Sequence, residues 1–290
     1  MIEARGITKF FSIVNDDRTA DGLTAVLSVS LKIGAGKIVS ILGPSGCGKS
    51  TFLEILAGLQ APTEGKVLID GVTVLEPLPS TRREMEEYRR KYQFISPLAN
   101  GMFRDRPKHD IAMIFQDYAV FPWMTALQNV TFALKLRGVA RAERIPRALP
   151  FLKSVGLGDS LNKYPSQLSG GMRQRLALAR ALAVGPKIIL MDEPFAAVDT
   201  ITRERLQDDL LRLWNETGIT IVLVTHDTDE AVYLSDEIVV FSPPPGSVRN
   251  VFPVTSPRPR RRSDPEHVNL KSRVEALFKY DIDHESEYSI

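Results

Sequence analysis

The chain has 290 residues, 43% hydrophobic and 25% charged, with a formal net charge of +2. The composition excludes a disordered polymer and predicts a packed core, and the length allows one large domain or a main domain plus an appendage. The small net charge argues against nucleic acid as main partner, and the single cysteine, Cys47, excludes an internal disulfide and fits a reducing compartment.

In chain order, Met1-Ile2-Glu3-Ala4-Arg5 is not followed by the apolar run of a signal peptide. No stretch reaches the ~18 apolar residues that span a bilayer, so a cytoplasmic location is expected. Lys37-Ile38-Val39-Ser40-Ile41-Leu42 reads as a buried strand stopped by Gly43. From Ser50 onward, Phe52, Ile55, Leu56 and Leu59 recur at helical spacing. Residues 76–109 are polar and charged and read as an insertion. Within it, Thr81 to Tyr92 has a narrow helical stripe of Met85, Tyr88 and Tyr92. Residues 141–157 are helical in pattern, but Pro146 and Pro150 are expected to end or kink the helix. A further helix is predicted from about Met172 to Ala183. Strand candidates Ile188–Met191 and Ile219–Val224 alternate with helical patterns such as Leu206, Leu210, Leu213 and Trp214. That alternation predicts an α/β fold with a mainly parallel sheet covered on both faces. After Pro243-Pro244-Pro245-Gly246 come a short strand, Val248 to Val254, and the basic run Arg258-Pro259-Arg260-Arg261-Arg262. Ser263-Asp264-Pro265-Glu266 then has capping-box spacing. Leu270, Val274, Leu277 and Phe278 give one apolar face, so a C-terminal helix packed on the main domain is predicted.

Gly43-Pro44-Ser45-Gly46-Cys47-Gly48-Lys49-Ser50, followed by Thr51, matches the phosphate-binding P-loop. Glycines let successive N–H groups turn toward phosphate oxygens, and the helix end adds its positive dipole. Lys49 is expected on the β- and γ-phosphates and the Ser50 hydroxyl on magnesium. The plainer reading, a Gly-rich turn, is weakened by the flanking strand and helix. Cys47 sits where a helix N-terminus should lower a thiol pKa, so labelling that ATP prevents is expected; the plainer reading is inert packing. A P-loop alone leaves kinases, GTPases and many ATPases open. Ile188-Ile189-Leu190-Met191-Asp192-Glu193 is an apolar strand ending in two carboxylates. Asp192 fits the anionic partner of magnesium, and Glu193 is placed to orient or deprotonate a water.

Gln167-Leu168-Ser169-Gly170-Gly171-Met172-Arg173-Gln174-Arg175 resembles the signature sequence of the ABC ATPase family. The plainer reading is an N-capped helix after a loop. Other family landmarks stand in the same order. Gln116 resembles the Q-loop glutamine, Pro194 to Asp199 the D-loop, His226 the switch histidine, and Phe11 the aromatic that stacks on adenine, with adjacent Phe10 as competitor. The resemblance covers roughly residues 3–245. It implies a P-loop NTPase fold of ABC type, with a mainly parallel sheet core, an antiparallel β subdomain and a helical subdomain over about 118–184. Residues 246–290 are left as an extension.

The resemblance also implies ATP and Mg2+ as cofactors. It makes Glu193, His226, Gln116 and Lys49 catalytic. Nucleotide would be held by Phe11, by Gly43, Pro44, Ser45, Gly46, Cys47, Gly48, Lys49, Ser50 and Thr51, and by Ser169, Gly170 and Gly171 of a second copy. Magnesium would fall to Ser50, Gln116 and Asp192. The implied partners are a second copy in a head-to-tail homodimer, transmembrane permease subunits and, indirectly, a solute-binding protein, with the chain on the cytoplasmic face of the membrane. Gln116 to Thr125, and Gly246 to Arg260 with its Pro-Arg-Pro-Arg ending, are similar to importers of nitrate, sulfonates and taurine. Those importers run almost directly from the strand near Asp70-Gly71 to the Q-loop, whereas here a charged segment intervenes. An exporter ATPase is the alternative. A soluble ABC protein acting on nucleic acid would carry tandem ATPase domains or long coiled coils. Phe121-Pro122-Trp123 reads as a docking surface or, more plainly, as core.

Overall fold

Alternating apolar residues and unbroken apolar runs build different sheets in this chain. The structure, a computed structural model, describes residues 1–14, 20–77, 111–196 and 198–285. Nearly all of the expected insertion, with its candidate helix, lies outside them. The chain forms two units, Met1–Ala35 with Ile41–His109 and His226–Ile290, and Gly36–Ser40 with Asp110–Thr225. In the first unit, β1 (Ile2–Val14) and β2 (Ala20–Ile33) pair antiparallel. Their core residues alternate: Ile2, Ala4, Val29, Leu31 and Ile33 are buried, while Arg5, Ser30 and Lys32 are exposed, the period of a half-buried sheet. β3 (Ile38–Leu42) is buried throughout, and its last two residues belong to this unit. β4 (Glu64–Ile69) and β5 (Val72–Leu75) complete a sheet of order β2-β1-β4-β5. They are joined by Asp70 and Gly71, both at positive φ (50° and 81°), as a tight two-residue hairpin requires.

α1 (Lys49–Leu56) buries Phe52, Leu53, Ile55 and Leu56. Leu59, expected on the same helical face, instead lies past its end and is 53% exposed. Gly58, at φ 74°, turns the chain left-handed. The Gly58 amide then donates to Ile55 O and the Leu59 amide to Glu54 O, which closes the helix as a Schellman motif.

In the second unit β6 (Ile111–Ile114), β7 (Ile188–Asp192) and β8 (Thr220–Thr225) run parallel, with Ile114 beside Met191 and Asp192 beside Val224. Every residue of β7 and β8 is buried, which explains their apolar runs, residues 188–191 and 221–224. α2 (Ala126–Leu136) opens with a capping box of Thr125 and Gln128. α3 (Arg141–Ser154) continues through Pro146 and Pro150, so of the two expected outcomes, an end or a kink, the end does not occur. Both prolines are exposed, four residues apart and opposite buried Ala148 and Leu152, so the carbonyls they leave unbonded lie on the side open to water. α4 (Gly170–Ala183) starts two residues earlier than expected because Ser169 Oγ accepts from the Met172 amide and caps it. α5 (Thr200–Thr217) is capped by Asp199, ends on left-handed Gly218, and buries Leu206 and Leu210. Its Trp214 Nε1 donates to Gly36 O at 2.8 Å.

The first unit resumes with α6 (Thr228–Leu234), then β9 (Glu237–Phe241) and β10 (Val248–Pro253), which pair antiparallel, and finally α7 (Pro265–Glu285). The C-terminal helix packs as expected. Val274 is fully buried with Val232, Ile238, Val240, Phe252 and Val254, and Leu270, Leu277 and Phe278 lie against them. Among the described residues no helix is long and apolar enough to cross a membrane.

Candidate functional site

β3 ends at Leu42, and the loop from Gly43 curls into α1. Gly46 and Gly48 lie at φ 77° and 90°. A Cβ on Gly48 would come within 2.2 Å of the Ala25 carbonyl oxygen, so backbone packing closes this position to any other residue. Gly48 is also the N-cap of α1 and offers no side-chain acceptor to the first turn. The positive end of the helix thus carries no capping side chain, which suits an anion. Lys49 is 5% exposed. Its ammonium donates to Gly43 O at 2.8 Å and Pro44 O at 2.7 Å, which fixes a positive charge on the loop.

Cys47 departs from expectation. It is fully buried, and burial raises its thiol pKa despite the opposing charge of Lys49. Desolvation outweighs the helix-end benefit, so this thiol is a packing group; its backbone still belongs to the loop. One contributor escaped sequence reading. The Gly246 amide donates to Ala25 O at 3.1 Å and its carbonyl accepts from the Leu27 amide at 2.8 Å. A Cβ there would fall 1.9 Å from Cys47 O. The signal was a glycine closing a triple-proline run.

The second unit gathers the acidic residues. Asp192, the last residue of β7, is 8% exposed. Glu193 follows at φ 44°, with its amide on Val224 O at 3.0 Å and its carbonyl accepting from the Ala196 amide at 3.2 Å. Gln116 Nε2 donates to Glu193 Oε2 at 3.2 Å. Phe115, Gln116, Asp117 and Asp192 line one open hollow. The parallel register of β6 and β7 thus brings together residues far apart in sequence.

Just beyond Gln116, Tyr118 and Ala119 both take positive φ, 63° and 43°. Arg180 of α4 donates to both of their carbonyls, at 2.9 and 2.6 Å, and stands over the Phe121 ring at 5.4 Å. Burial lowers the Arg180 pKa, with Asp117 opposing. Sequence reading missed Arg180; its only mark was a cation within an otherwise buried helical stretch. Phe121 packs against Phe132 and Trp123, but Trp123 is itself 69% exposed, which removes the core reading for it.

Among the signature residues, Ser169 is exposed, while Gly171 is buried. A Cβ on Gly171 would lie 2.8 Å from the Thr202 methyl. Gly171 thus serves packing on α5 and leaves Ser169 and Gly170 accessible. His226 is exposed and directly precedes Asp227, whose carboxylate caps α6 by accepting from the Asp229 and Glu230 amides. Phe11 is half-buried, with the Lys9 ammonium 5.0 Å from its ring. The Phe10 ring is 45% exposed and covers Gly22. Among the described residues no group of three or more His, Cys, Asp or Glu could hold a metal ion. The buried carboxylate of Asp192 is the kind of oxygen ligand that suits a magnesium ion bringing its own phosphate ligands.

The family model described as ABC transporter matches residues 26–196. The chain belongs to the ABC transporter family. It is 39% identical over 97% of its length to an uncharacterised ABC transporter ATP-binding protein, MJ0412, of Methanocaldococcus jannaschii, and covers 92% of that protein. It is 38% identical to the bicarbonate transport ATP-binding protein CmpC of Synechocystis, over 92% of this chain but only 36% of that longer protein. To CmpD of the same organism, also a bicarbonate transport ATP-binding protein, it is 36% identical over 91% of this chain and 87% of the relative. Its fold is that of the family's ATPase cassettes. The dimeric post-hydrolysis cassette MJ0796 bound to ADP and Pi superposes with a TM-score of 0.68 at 35% identity, covering 88% of this chain and all of the other. As a member of this family the chain is an ATP-binding, ATP-hydrolysing subunit.

Proposed function

We infer that this chain drives an importer of a small solute, of the nitrate, sulfonate, taurine or bicarbonate kind, through separate membrane subunits. Likeness to CmpC and CmpD over most of this chain supports that class. Likeness to a dimeric cassette supports a head-to-tail homodimer. In this reading permease subunits hold the dimer on the cytoplasmic face of the membrane, and a solute-binding protein delivers cargo outside.

The observation that carries the hydrolytic reading is the Gln116–Glu193 hydrogen bond at the end of β7. Glu193 orients the attacking water and accepts its proton, and Gln116 holds the carboxylate in place. Lys49 and the amides of the Gly43–Thr51 loop bind the phosphates. Ser50, Gln116 and Asp192 would hold magnesium, which when bound neutralises developing phosphate charge. Phe11 stacks on adenine, His226 contacts the reacting phosphate, and Ser169, Gly170 and Gly171 come from the second copy. Closure of the dimer then couples hydrolysis to movement of the membrane subunits.

Glu193→Gln is the test of the hydrolytic role. It is expected to retain ATP binding and to accumulate as an ATP-dependent dimer in size-exclusion chromatography, with turnover lost. Ordinary turnover in this variant would remove Glu193 from the chemistry. The importer reading is tested in vesicles carrying the full complex: ATP-dependent uptake should require the binding protein, and export without it would overturn the reading.

A further inference from the structure

The Pro-Arg-Pro-Arg segment and the helix after it have no place in the nucleotide chemistry above. The structure nevertheless ties them to one element, α6, from both of its ends. α6 has only seven residues, Thr228–Leu234, too few to hold helical form without tertiary support. Its C-terminal carbonyls are taken by two arginines. Arg260, 7% exposed, donates through Nη1 to Val232 O, Tyr233 O and Ser235 O at 3.1, 3.0 and 2.7 Å. Arg258 donates to Leu234 O at 2.6 Å and to the Asp236 carboxylate. Positive charge on a helix C-terminus complements both its unbonded carbonyls and its dipole. Burial, with Arg258 nearby, lowers the Arg260 pKa to about 10, so it remains charged at neutral pH.

The first turn of α6 is held through Asp229. Its carboxylate accepts from Arg262 Nε at 2.8 Å and lies 3.0 Å from His267 Nε2, with the Lys271 ammonium 3.7 Å away. His267 is only 2% exposed, so this contact is built into the packing of α7. The Arg262 guanidinium also covers the Tyr233 ring at 3.9 Å. Burial would raise the Asp229 pKa, but the bonds from His267 and Arg262 hold it below its ordinary value. Directly ahead of this clamped helix stand its cap, Asp227, and then His226.

We propose that Arg258, Arg260, Arg262 and His267 are positioning residues for ATP hydrolysis, setting α6 and thereby the place of His226 at its head. The proposal rests on the reading that His226 serves hydrolysis. None of the four touches nucleotide in it; they act through a short helix whose hydrogen-bonding ends they complete. Movement of the extension would therefore reach the active histidine through α6, which makes the C-terminal segment a point of control over turnover.

The test uses the full chain in its transporter complex. Arg262→Gln and Asp229→Asn cut the peripheral clamp without emptying the buried Arg260 site. Each is expected to lower kcat about tenfold with KM for ATP changed less than about twofold. Amide exchange over residues 226–234 should quicken, and Arg262→Lys should recover most of the turnover. In a His226→Ala background, the residual turnover should fall no further on adding either change. Full additivity in that background, or a kcat loss that only tracks loss of folded protein, would overturn the positioning role. Wild-type kcat in both clamp variants while His226→Ala is impaired would overturn it alone. Wild-type kcat in His226→Ala would remove the underlying reading as well.

Discussion

The glycine loop after β3 and the turns after β6 and β7 reach left-handed backbone by opposite means. In the P-loop the positive-φ positions are glycines, Gly46 and Gly48, which take that conformation without steric penalty. In the second unit the corresponding positions are Tyr118, Ala119 and Glu193, whose side chains make it costly, on the order of 1 kcal/mol or more each. There the surroundings impose the shape. Arg180 grips the carbonyls of Tyr118 and Ala119, and Val224 O takes the Glu193 amide. A loop that must approach phosphate closely can spare its side chains. Turns whose residues carry an aromatic ring or a carboxylate cannot, and their geometry depends on neighbours.

If that contrast is right, the largest effect falls on the glycine loop. Gly48→Ala would press a methyl into the Ala25 carbonyl at a left-handed position, and is expected to abolish nucleotide binding and cost about 3 kcal/mol or more of stability. Isothermal titration with ATP and chemical denaturation would measure both, and near-normal binding would break the comparison at its first term. Next comes Arg180→Met, which strands two carbonyls beside the Q-loop. A loss of about 2 kcal/mol is expected, together with a fall in ATP turnover from the displaced Gln116. Unchanged denaturation and turnover would show that other contacts hold the turn.

Smaller and opposite in sign is Ala119→Gly. Removing the Cβ at φ 43° relieves strain, so the thermal midpoint should hold or rise, by about 0.5–1 kcal/mol in stability less glycine's extra unfolded-state entropy. A clear drop would mean that the methyl contributes packing that outweighs its conformation. The smallest effect concerns Cys47. With its thiol buried and its pKa raised, alkylation at neutral pH should be slow and nearly the same with and without ATP. Rapid labelling prevented by ATP would restore an exposed, reactive thiol.

Much of the candidate site was legible because it is local. The P-loop consensus, the caps Ser169 and Asp199 on their own third-following amides, and the apolar runs of β3, β7 and β8 depend on residues a few positions apart. Helix ends were read less well. α1 stops early because Gly58 completes a Schellman turn, and α3 survives two prolines because their face meets water. Whether Phe10 or Phe11 serves adenine was open in the sequence, since neighbours on a strand face opposite ways.

By itself, then, the sequence determined the family and the order of its strands and helices, since each is encoded in short-range spacing. Tertiary structure decided which of them meet. Gln116 reaches Glu193 across 77 positions only because β6 and β7 pair in parallel. Cys47 became a packing atom because its burial costs the thiolate more than a helix end returns. Arg258, Arg260 and Arg262 bind α6 because that helix is too short to satisfy its own ends. Each of these outcomes depends on desolvation or on a hydrogen-bond partner distant in sequence, and no local pattern of residues carries that information.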